Sequence, residues 1–286
     1  MTLKKLGEHR EINLFADDTS FFVVAKNYNE LEQLANQAML ELNEWLNKNR
    51  LTLNTKKTHY LDFSNKKDKK ITIQINNENI DQVNETKYLG LTIQDNLKWN
   101  KHNIQNTINK LNRQIPLYYA LKDNLPQKHL NIVYKSLSFS IINYGIELYG
   151  KNGSKWMSQL QKTQNRLLKI IFNKSRLHRT NDLHKTLKIL KVVDHAKIRL
   201  ALIGHRFTQD KSNYTYRNLE LVHNIHNRNL RNFLNIKTTA ESYRRENKVT
   251  EQASIEWNNI NTDTKIVKSR GKFKTSLEIN ILNTYQ

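Results

Sequence analysis

The sequence has no cysteine. That excludes disulfides and thiolate metal sites, and it argues against a small secreted scaffold. Proline occurs twice and glycine seven times in 286 residues. A chain so poor in chain breakers is not a linker protein; regular structure, mostly helix, is expected. No apolar run approaches the ~20 residues of a membrane-spanning helix, so no membrane partner is expected. Positions 1–10 lack the apolar stretch of a signal peptide, and the protein is read as intracellular, with nucleus and cytoplasm both open. Hydrophobic residues make up 37%, below the usual globular share, which points to a small core or mobile stretches.

Acidic side chains are also scarce. There are 47 Lys and Arg against 26 Asp and Glu, a net charge of +21. The excess is regional: residues 1–60 hold 8 basic and 8 acidic side chains, and residues 61–286 hold 39 and 18. A polyanion such as nucleic acid is the natural partner for the second region. A soluble basic protein with no specific partner is the alternative.

Residues 11–25 read as two short strands around a tight turn. Phe21, Phe22, Val23 and Val24 are strand formers, as are Leu14 and Phe15, and Asp17-Asp18 lies between the two groups. Asn29 and Glu32 have capping-box spacing. Leu31, Leu34, Ala35, Ala38, Leu42, Trp45 and Leu46 then recur with the helical period, and this helix should end near Asn49. Residues 51–63 read as extended, and Lys66-Lys67-Asp68-Lys69-Lys70 as a charged turn and a weak nuclear-address candidate. Ile71, Ile73 and Ile75 alternate with polar residues as in a strand. Residues 87–93 read as one more strand.

From residue 100 the period becomes helical, and a domain boundary is expected near 95–100. Ile104, Ile108, Leu111 and Ile115 form one face, closed by Pro116. A second helix follows Pro126, which suits a first helical turn. A third carries Leu160, Gln164, Leu167, Leu168 and Ile171, studded with Lys162, Arg166 and Lys169. Residues 183–207 are helical again. Beyond about 210, Asn-rich stretches suggest loops or disorder.

Two adjacent carboxylates at a turn repel each other, and a divalent cation would relieve that repulsion. Hard oxygen ligands suit Mg²⁺. Neighbouring strand side chains point to opposite faces, so Asp17 and Asp18 should play unequal parts. By spacing alone a solvated turn is the simpler reading.

The context changes the weighting. Phe15-Ala16-Asp17-Asp18-Thr19 between apolar strands resembles the catalytic turn of reverse transcriptases from non-long-terminal-repeat, jockey-like retrotransposons. Leu53-Asn54-Thr55-Lys56-Lys57-Thr58 is similar to the family's next palm segment. Lys87-Tyr88-Leu89-Gly90-Leu91-Thr92-Ile93 resembles the segment that grips the primer end, and Asp95-Asn96-Leu97-Lys98-Trp99-Asn100-Lys101-His102 the entry to the thumb. Ile142-Asn143-Tyr144-Gly145-Ile146-Glu147-Leu148-Tyr149-Gly150 and Leu160-Gln161-Lys162-Thr163-Gln164-Asn165-Arg166 resemble the family's region after the thumb. Trp257-Asn258 and Gly271-Lys272-Phe273-Lys274 resemble the family's C-terminal end. The motifs occur in the family's order along nearly the whole chain.

The resemblance implies an α+β chain. A partial polymerase palm of antiparallel hairpin strands plus a helix would occupy 1–97. A thumb-like helical region would occupy 98–150, and a basic helical C-terminal region with a partly disordered tail 151–286. It implies RNA-directed DNA synthesis by two-metal phosphoryl transfer, using Mg²⁺ or Mn²⁺ and a dNTP on an RNA template with a DNA primer. Asp17 and Asp18 would be the catalytic and metal-binding pair. Lys57 would meet developing charge or protonate pyrophosphate, a surface cation being the other reading. Lys87, Tyr88, Gly90, Lys101, Lys110, Arg113, Lys162, Arg166 and Lys169 would contact nucleic acid.

Only 14 residues precede Phe15, and none of them is Asp. The upstream metal-binding aspartate, the nucleotide pocket and the fingers of the family have no counterpart there. The expectation is a truncated reverse transcriptase with an incomplete two-metal site, inactive alone but able to bind nucleic acid. Another chain would be needed to complete the palm sheet, whose missing strand leaves an open edge. A non-catalytic nucleic-acid-binding protein and an element remnant without a selected role are the alternatives. His223 and His226 lack the further ligands a zinc site needs. His178, His184, His195 and His205 read as surface or satisfied core histidines. Tyr118, Tyr119 and Tyr134 could stack on bases, with core packing the simpler use.

Overall fold

The structure is a computed structural model that describes residues 10–64, 70–97, 100–150, 155–210, 219–221, 234–238 and 248–285; of residues 100–102 it describes the backbone only. Its architecture is α+β, with small sheets confined to the first third of the chain. The chain divides into two compact units, Met1–Lys98 and Trp99–Gln286. Among the described residues no helix is long and apolar enough to cross a membrane.

The first unit opens with β1 (Arg10–Phe15) and β2 (Asp18–Val23), an antiparallel hairpin in which Phe15 pairs with Asp18. Asp18 is therefore the first strand residue, and Ala16-Asp17 alone makes the turn. Ala16 has a positive φ of 52°. That is the sense of twist which two-residue hairpin turns require, but a residue with a Cβ adopts it under strain.

Helix α1 (Tyr28–Lys48) follows. Its cap is Asn27, not Asn29: the Asn27 Oδ1 accepts from the Glu30 backbone N–H at 2.9 Å, and the Glu30 carboxylate accepts from the Lys26 N–H at 3.0 Å. Both pairs have capping-box spacing. Tyr28 decides between them, because as the first helical residue it packs on the core and places its hydroxyl against Asp62 and Ser64. The helix ends at Asn49 as its period predicts.

Residues 51–63, expected to be extended, contain a 3₁₀ turn at Thr55–Lys57 and then the short β3 (His59–Tyr60). Strand β4 (Ile73–Ile75) and β5 (Glu78–Gln82) form an antiparallel pair, and β3 joins β5 in parallel. Ile73 and Ile75 turn inward and Gln74 outward, as the alternation predicts. With Ile71 and Ile80 they pack against Ala35, Leu31 and Met39 of α1. Residues 87–93 are not one strand. They form a hairpin of β6 (Glu85–Tyr88) and β7 (Leu91–Gln94), turned by Leu89 and Gly90. Both turn residues have positive φ, 46° and 80°, the signature of a type I′ turn.

The second unit is helical. It comprises α2 (Asn100–Arg113), α3 (Ile115–Leu121), α4 (Gln127–Tyr134), a π-helical turn at Lys135–Phe139, α5 (Ser140–Asn143), α6 (Ile146–Tyr149), α7 (Lys155–Ile171), α8 (Thr180–Leu187) and α9 (Val192–Gln209). After these come α10 (Val249–Asn258), α11 (Thr262–Lys265) and α12 (Arg270–Asn283). Pro116 does not close α2 but opens α3, and Pro126 is the N-cap of α4. The helix expected over 183–207 is two helices, broken where Lys188 turns left-handed at φ 51°.

Helices α6, α7, α10 and α12 all pack on α9. Gly204 of α9 permits the closest approach: a Cβ there would lie 2.7 Å from Trp257 Cβ. Trp257 and Phe273 are fully buried with ring centres 5.7 Å apart, and the Trp257 indole N–H donates to the Leu234 carbonyl at 2.8 Å. The loop or disorder expected beyond 210 is thus corrected over 248–285, where polar helices bury a few large anchors. Within that same stretch of sequence, residues 211–218, 222–233 and 239–247 lie outside the described residues, and His223 and His226 with them.

Candidate catalytic turn and nucleic-acid interface

The β1–β2 hairpin presents both carboxylates to solvent: Asp17 and Asp18 are exposed. Their positions differ as alternation requires, since Asp17 sits in the turn and Asp18 in the ladder. Cross-strand pairing puts Asp18, Phe15, Ser20, Asn13 and Phe22 on one face. Tyr88 reaches that face. The Ser20 hydroxyl donates to the Tyr88 hydroxyl at 3.1 Å. The acidic turn and the Lys87-Tyr88-Leu89-Gly90 segment, 68 residues apart, thus belong to one local assembly. On the other side of the hairpin, Arg10 pairs with Glu41 of α1 at 3.2 Å.

Ile12, Phe21 and Val23 of the hairpin are half-buried, and β2 packs on α1, but the turn end is bare. Leu14 and Phe15 are 55% and 61% exposed, and Phe22 and Val24 are exposed too. Among the described residues β1 pairs only with β2. A two-stranded ribbon gains little stability by itself, so the contacts through Arg10 and Tyr88 matter.

Lys57 occupies the end of the 3₁₀ turn with its side chain exposed. No hydrogen bond or ion pair among the described residues joins it to Asp17 or Asp18. Lys87 is exposed on β6, and Gly90 lies in the turn beyond it. Mg²⁺ prefers six oxygen ligands and commonly takes one or two carboxylates. Asp17 and Asp18 fit that role. Among the described residues no group of three or more His, Cys, Asp or Glu gathers to complete a shell.

In the second unit, Lys110 and Arg113 lie on the outer face of α2, opposite the buried Ile104, Ile108 and Leu111. Lys101 falls in the first turn of α2, and its side chain lies outside the described residues. Helix α7 buries Met157, Leu160, Gln164, Leu167, Leu168 and Ile171 and exposes Lys155, Lys162 and Arg166. Lys169 is half-buried, and its ammonium donates to the Arg176 carbonyl at 2.5 Å. Of the three tyrosines that could stack on bases, Tyr118 and Tyr134 are fully buried and Tyr119 is half exposed. The Tyr118 hydroxyl meets Ser138 Oγ at 2.6 Å, and burial raises its pKa.

Several motif residues serve packing, a role that sequence reasoning missed. Gln164 is fully buried; its amide N–H₂ donates to the Tyr134 hydroxyl at 3.1 Å and the Leu190 carbonyl at 3.0 Å. Gln161 donates to both Gln164 and Asn165 and accepts from the Val192 N–H. Asn165 meets His184, whose other ring nitrogen faces the Ile189 carbonyl. Asn143 contacts His195 at 2.6 Å, and Glu147 holds Arg199 at 2.9 Å. A polar side chain at a core position of an amphipathic helix, as Gln164 is, was the one sequence signal for this network.

Two known proteins resemble the chain over nearly two thirds of its length. An RNA-directed DNA polymerase from the mobile element jockey of Drosophila melanogaster is 23% identical over 185 residues, 64% of this chain. A probable RNA-directed DNA polymerase from the transposon X-element of the same organism is 22% identical over 183 residues, 63% of the chain. Each alignment covers 20% of the relative, so the chain spans about a fifth of the length of these curated relatives. No family model and no solved structure matches the chain. By sequence, then, about two thirds of the chain resembles a region of the reverse transcriptases of non-long-terminal-repeat, jockey-like retrotransposons.

Proposed function

We propose that these residues carry part of the palm of an RNA-directed DNA polymerase, with Asp17 and Asp18 as Mg²⁺ ligands, followed by thumb-like and C-terminal helices that hold nucleic acid. The observation that carries the reading is the assembly of the exposed acidic turn with Tyr88 on one hairpin face. When bound, the metal would neutralise charge developing on a phosphate during transfer. Tyr88 fixes the hairpin face, and Lys87 and Gly90 flank the place where a primer end would lie. The exposed side chains Lys110, Arg113, Lys162 and Arg166 contact phosphates, with Lys101 and Lys169 beside them. Lys57 acts with the pyrophosphate only if bound substrate brings it near.

By themselves the 286 residues bind an RNA–DNA hybrid but do not extend a primer. Among the described residues the two carboxylates gather no third His, Cys, Asp or Glu, which supports that half of the proposal, and so do the exposed Leu14, Phe15 and Phe22, which another segment of palm would cover. In a primer-extension assay on an RNA template with Mg²⁺, extension stays at background. Robust extension abolished by Asp17→Ala would overturn the claim of inactivity. Hybrid binding weakens steeply with salt, and Lys162→Gln/Arg166→Gln lowers the log–log slope by about 2, near one unit for each phosphate no longer neutralised. A salt-independent affinity would refute the interface. The second reading, a nucleic-acid-binding protein without catalysis, is favoured by the basic outer faces of α2 and α7. It holds if Asp17→Asn leaves hybrid binding in the presence of Mg²⁺ unchanged.

A further inference from the structure

The most exposed large apolar side chain among the described residues is Leu177, at 93%. It projects from the loop between α7 and α8. That loop is held by hydrogen bonds. The Lys174 N–H donates to the Lys169 carbonyl at 2.8 Å, and the His178 N–H to the Ser175 carbonyl at 3.1 Å. The Lys169 ammonium clamps the Arg176 carbonyl at 2.5 Å, and Lys122 donates to Asn173 Oδ1 at 3.4 Å. Asn173 turns the chain out of α7 with φ 49°. Leu177 is therefore presented on a fixed turn.

Its surroundings are cationic. Lys174, Arg176 and Arg179 are exposed, and none forms an ion pair among the described residues. Residues 155–191 hold ten Lys and Arg and one carboxylate, Asp182. No other large apolar side chain of the loop is exposed. A bilayer-inserting loop needs more apolar surface than one leucine, and a stable protein interface needs on the order of 1,000 Å². One apolar side chain between guanidinium groups matches another chemistry: an apolar wedge entering a base step while cations hold the phosphates beside it.

We propose that the loop between α7 and α8 is a nucleic-acid wedge. Lys174, Arg176 and Arg179 hold phosphates, and Leu177 presses between neighbouring bases and loosens their stacking. The inference rests on the nucleic-acid reading above and adds a place and a mode of contact to it.

The test uses the full chain and RNA–DNA hybrids carrying 2-aminopurine at successive positions of the DNA strand. Binding of the unaltered chain raises the fluorescence at one or a few positions. Leu177→Ser abolishes the rise and changes affinity by roughly threefold at most, the scale expected of a surface substitution. Arg176→Gln/Arg179→Gln lowers affinity and reduces the salt slope by about 2. Leu177 is solvent-exposed, so its replacement leaves folding intact, which circular dichroism confirms. A rise that survives Leu177→Ser overturns the wedge and leaves hybrid binding standing. No hybrid binding by the unaltered chain overturns both readings. Leu177-dependent binding to phosphatidylserine vesicles, without a fluorescence rise on hybrids, overturns the wedge in favour of a lipid surface.

Discussion

The Ser20 hydroxyl donates to the Tyr88 hydroxyl across 3.1 Å and ties the acidic hairpin to the β6–β7 hairpin. Each hairpin is a two-stranded ribbon whose turn begins on a residue of positive φ, and neither has a third strand among the described residues. This bond links the two.

The bond should be measurable. Ser20→Ala and Tyr88→Phe each remove one partner of a part-buried hydrogen bond, and each is expected to cost about 0.5–1.5 kcal/mol. Because the two groups share one contact, the double variant should cost less than the sum. A double-mutant cycle read by urea unfolding checks this. Strict additivity would show that the contact does not couple the hairpins.

A second expectation concerns the turn itself. Ala16 at φ 52° holds a Cβ in the left-handed region, a strain of roughly 1–2 kcal/mol. Ala16→Gly relieves that strain and raises chain entropy in the unfolded state, for a net gain of up to about 1 kcal/mol. Ala16→Val worsens the strain. Amide exchange at Phe15 and Asp18 should slow in the glycine variant and quicken in the valine one.

In the second unit, Gln164→Leu keeps the volume of the side chain and removes its hydrogen bonds. The Leu190 carbonyl and the Tyr134 hydroxyl lose their donor, and Gln161 loses an acceptor. Leaving buried polar groups unsatisfied costs about 1–3 kcal/mol each where no water replaces the partner. The expected loss of at least 2 kcal/mol exceeds that of Gln161→Leu, whose side chain is only half-buried. Thermal unfolding of the two variants compares them.

These positions also show which features were legible in sequence. Elements with an unbroken period were: α1 through Leu31, Ala35, Ala38 and Leu42, β4 through Ile73 and Ile75, α7 through Leu160, Leu167 and Ile171. The Asp17-Asp18 turn was legible because apolar strands flank it. The β6–β7 hairpin was hidden because leucine, a poor left-handed residue, fills its first turn position, so residues 87–93 look continuous. The cap of α1 was misplaced by two residues because Asn27 and Asn29 have the same spacing to a glutamate, and only packing of Tyr28 separates them. Helices α10 and α12 escaped notice because their few anchors, Trp257, Phe273 and Leu277, are spread through polar sequence. The nearness of Tyr88 to the acidic hairpin depends on tertiary contact, which no local period encodes.

The last prediction is a pH dependence from His195. Its imidazole is 2% exposed, lies tilted against the Phe139 ring with centres 4.6 Å apart and meets Asn143 Oδ1 through Nε2. Asn143 offers a carbonyl oxygen, so Nε2 carries the proton and donates. Burial pushes the pKa down to about 3 from 6.5, and the positive charges of Arg199 and Lys274 push the same way. The folded chain thus binds the second proton less readily than the unfolded chain, which takes it up near pH 6.5. The stability contributed by neutral His195 is complete above pH 6.5 and falls as the pH drops towards 3, by about 1.4 kcal/mol per pH unit. His184 is also buried with a lowered pKa and adds a loss of the same sign. Urea titrations at a series of pH values between 7 and 4 should show this slope. His195→Gln keeps an N–H donor for Asn143 and cannot be protonated, so it should flatten the slope while lowering stability at pH 7 only modestly. An unchanged slope in that variant would remove His195 as its source and leave His184 to account for it.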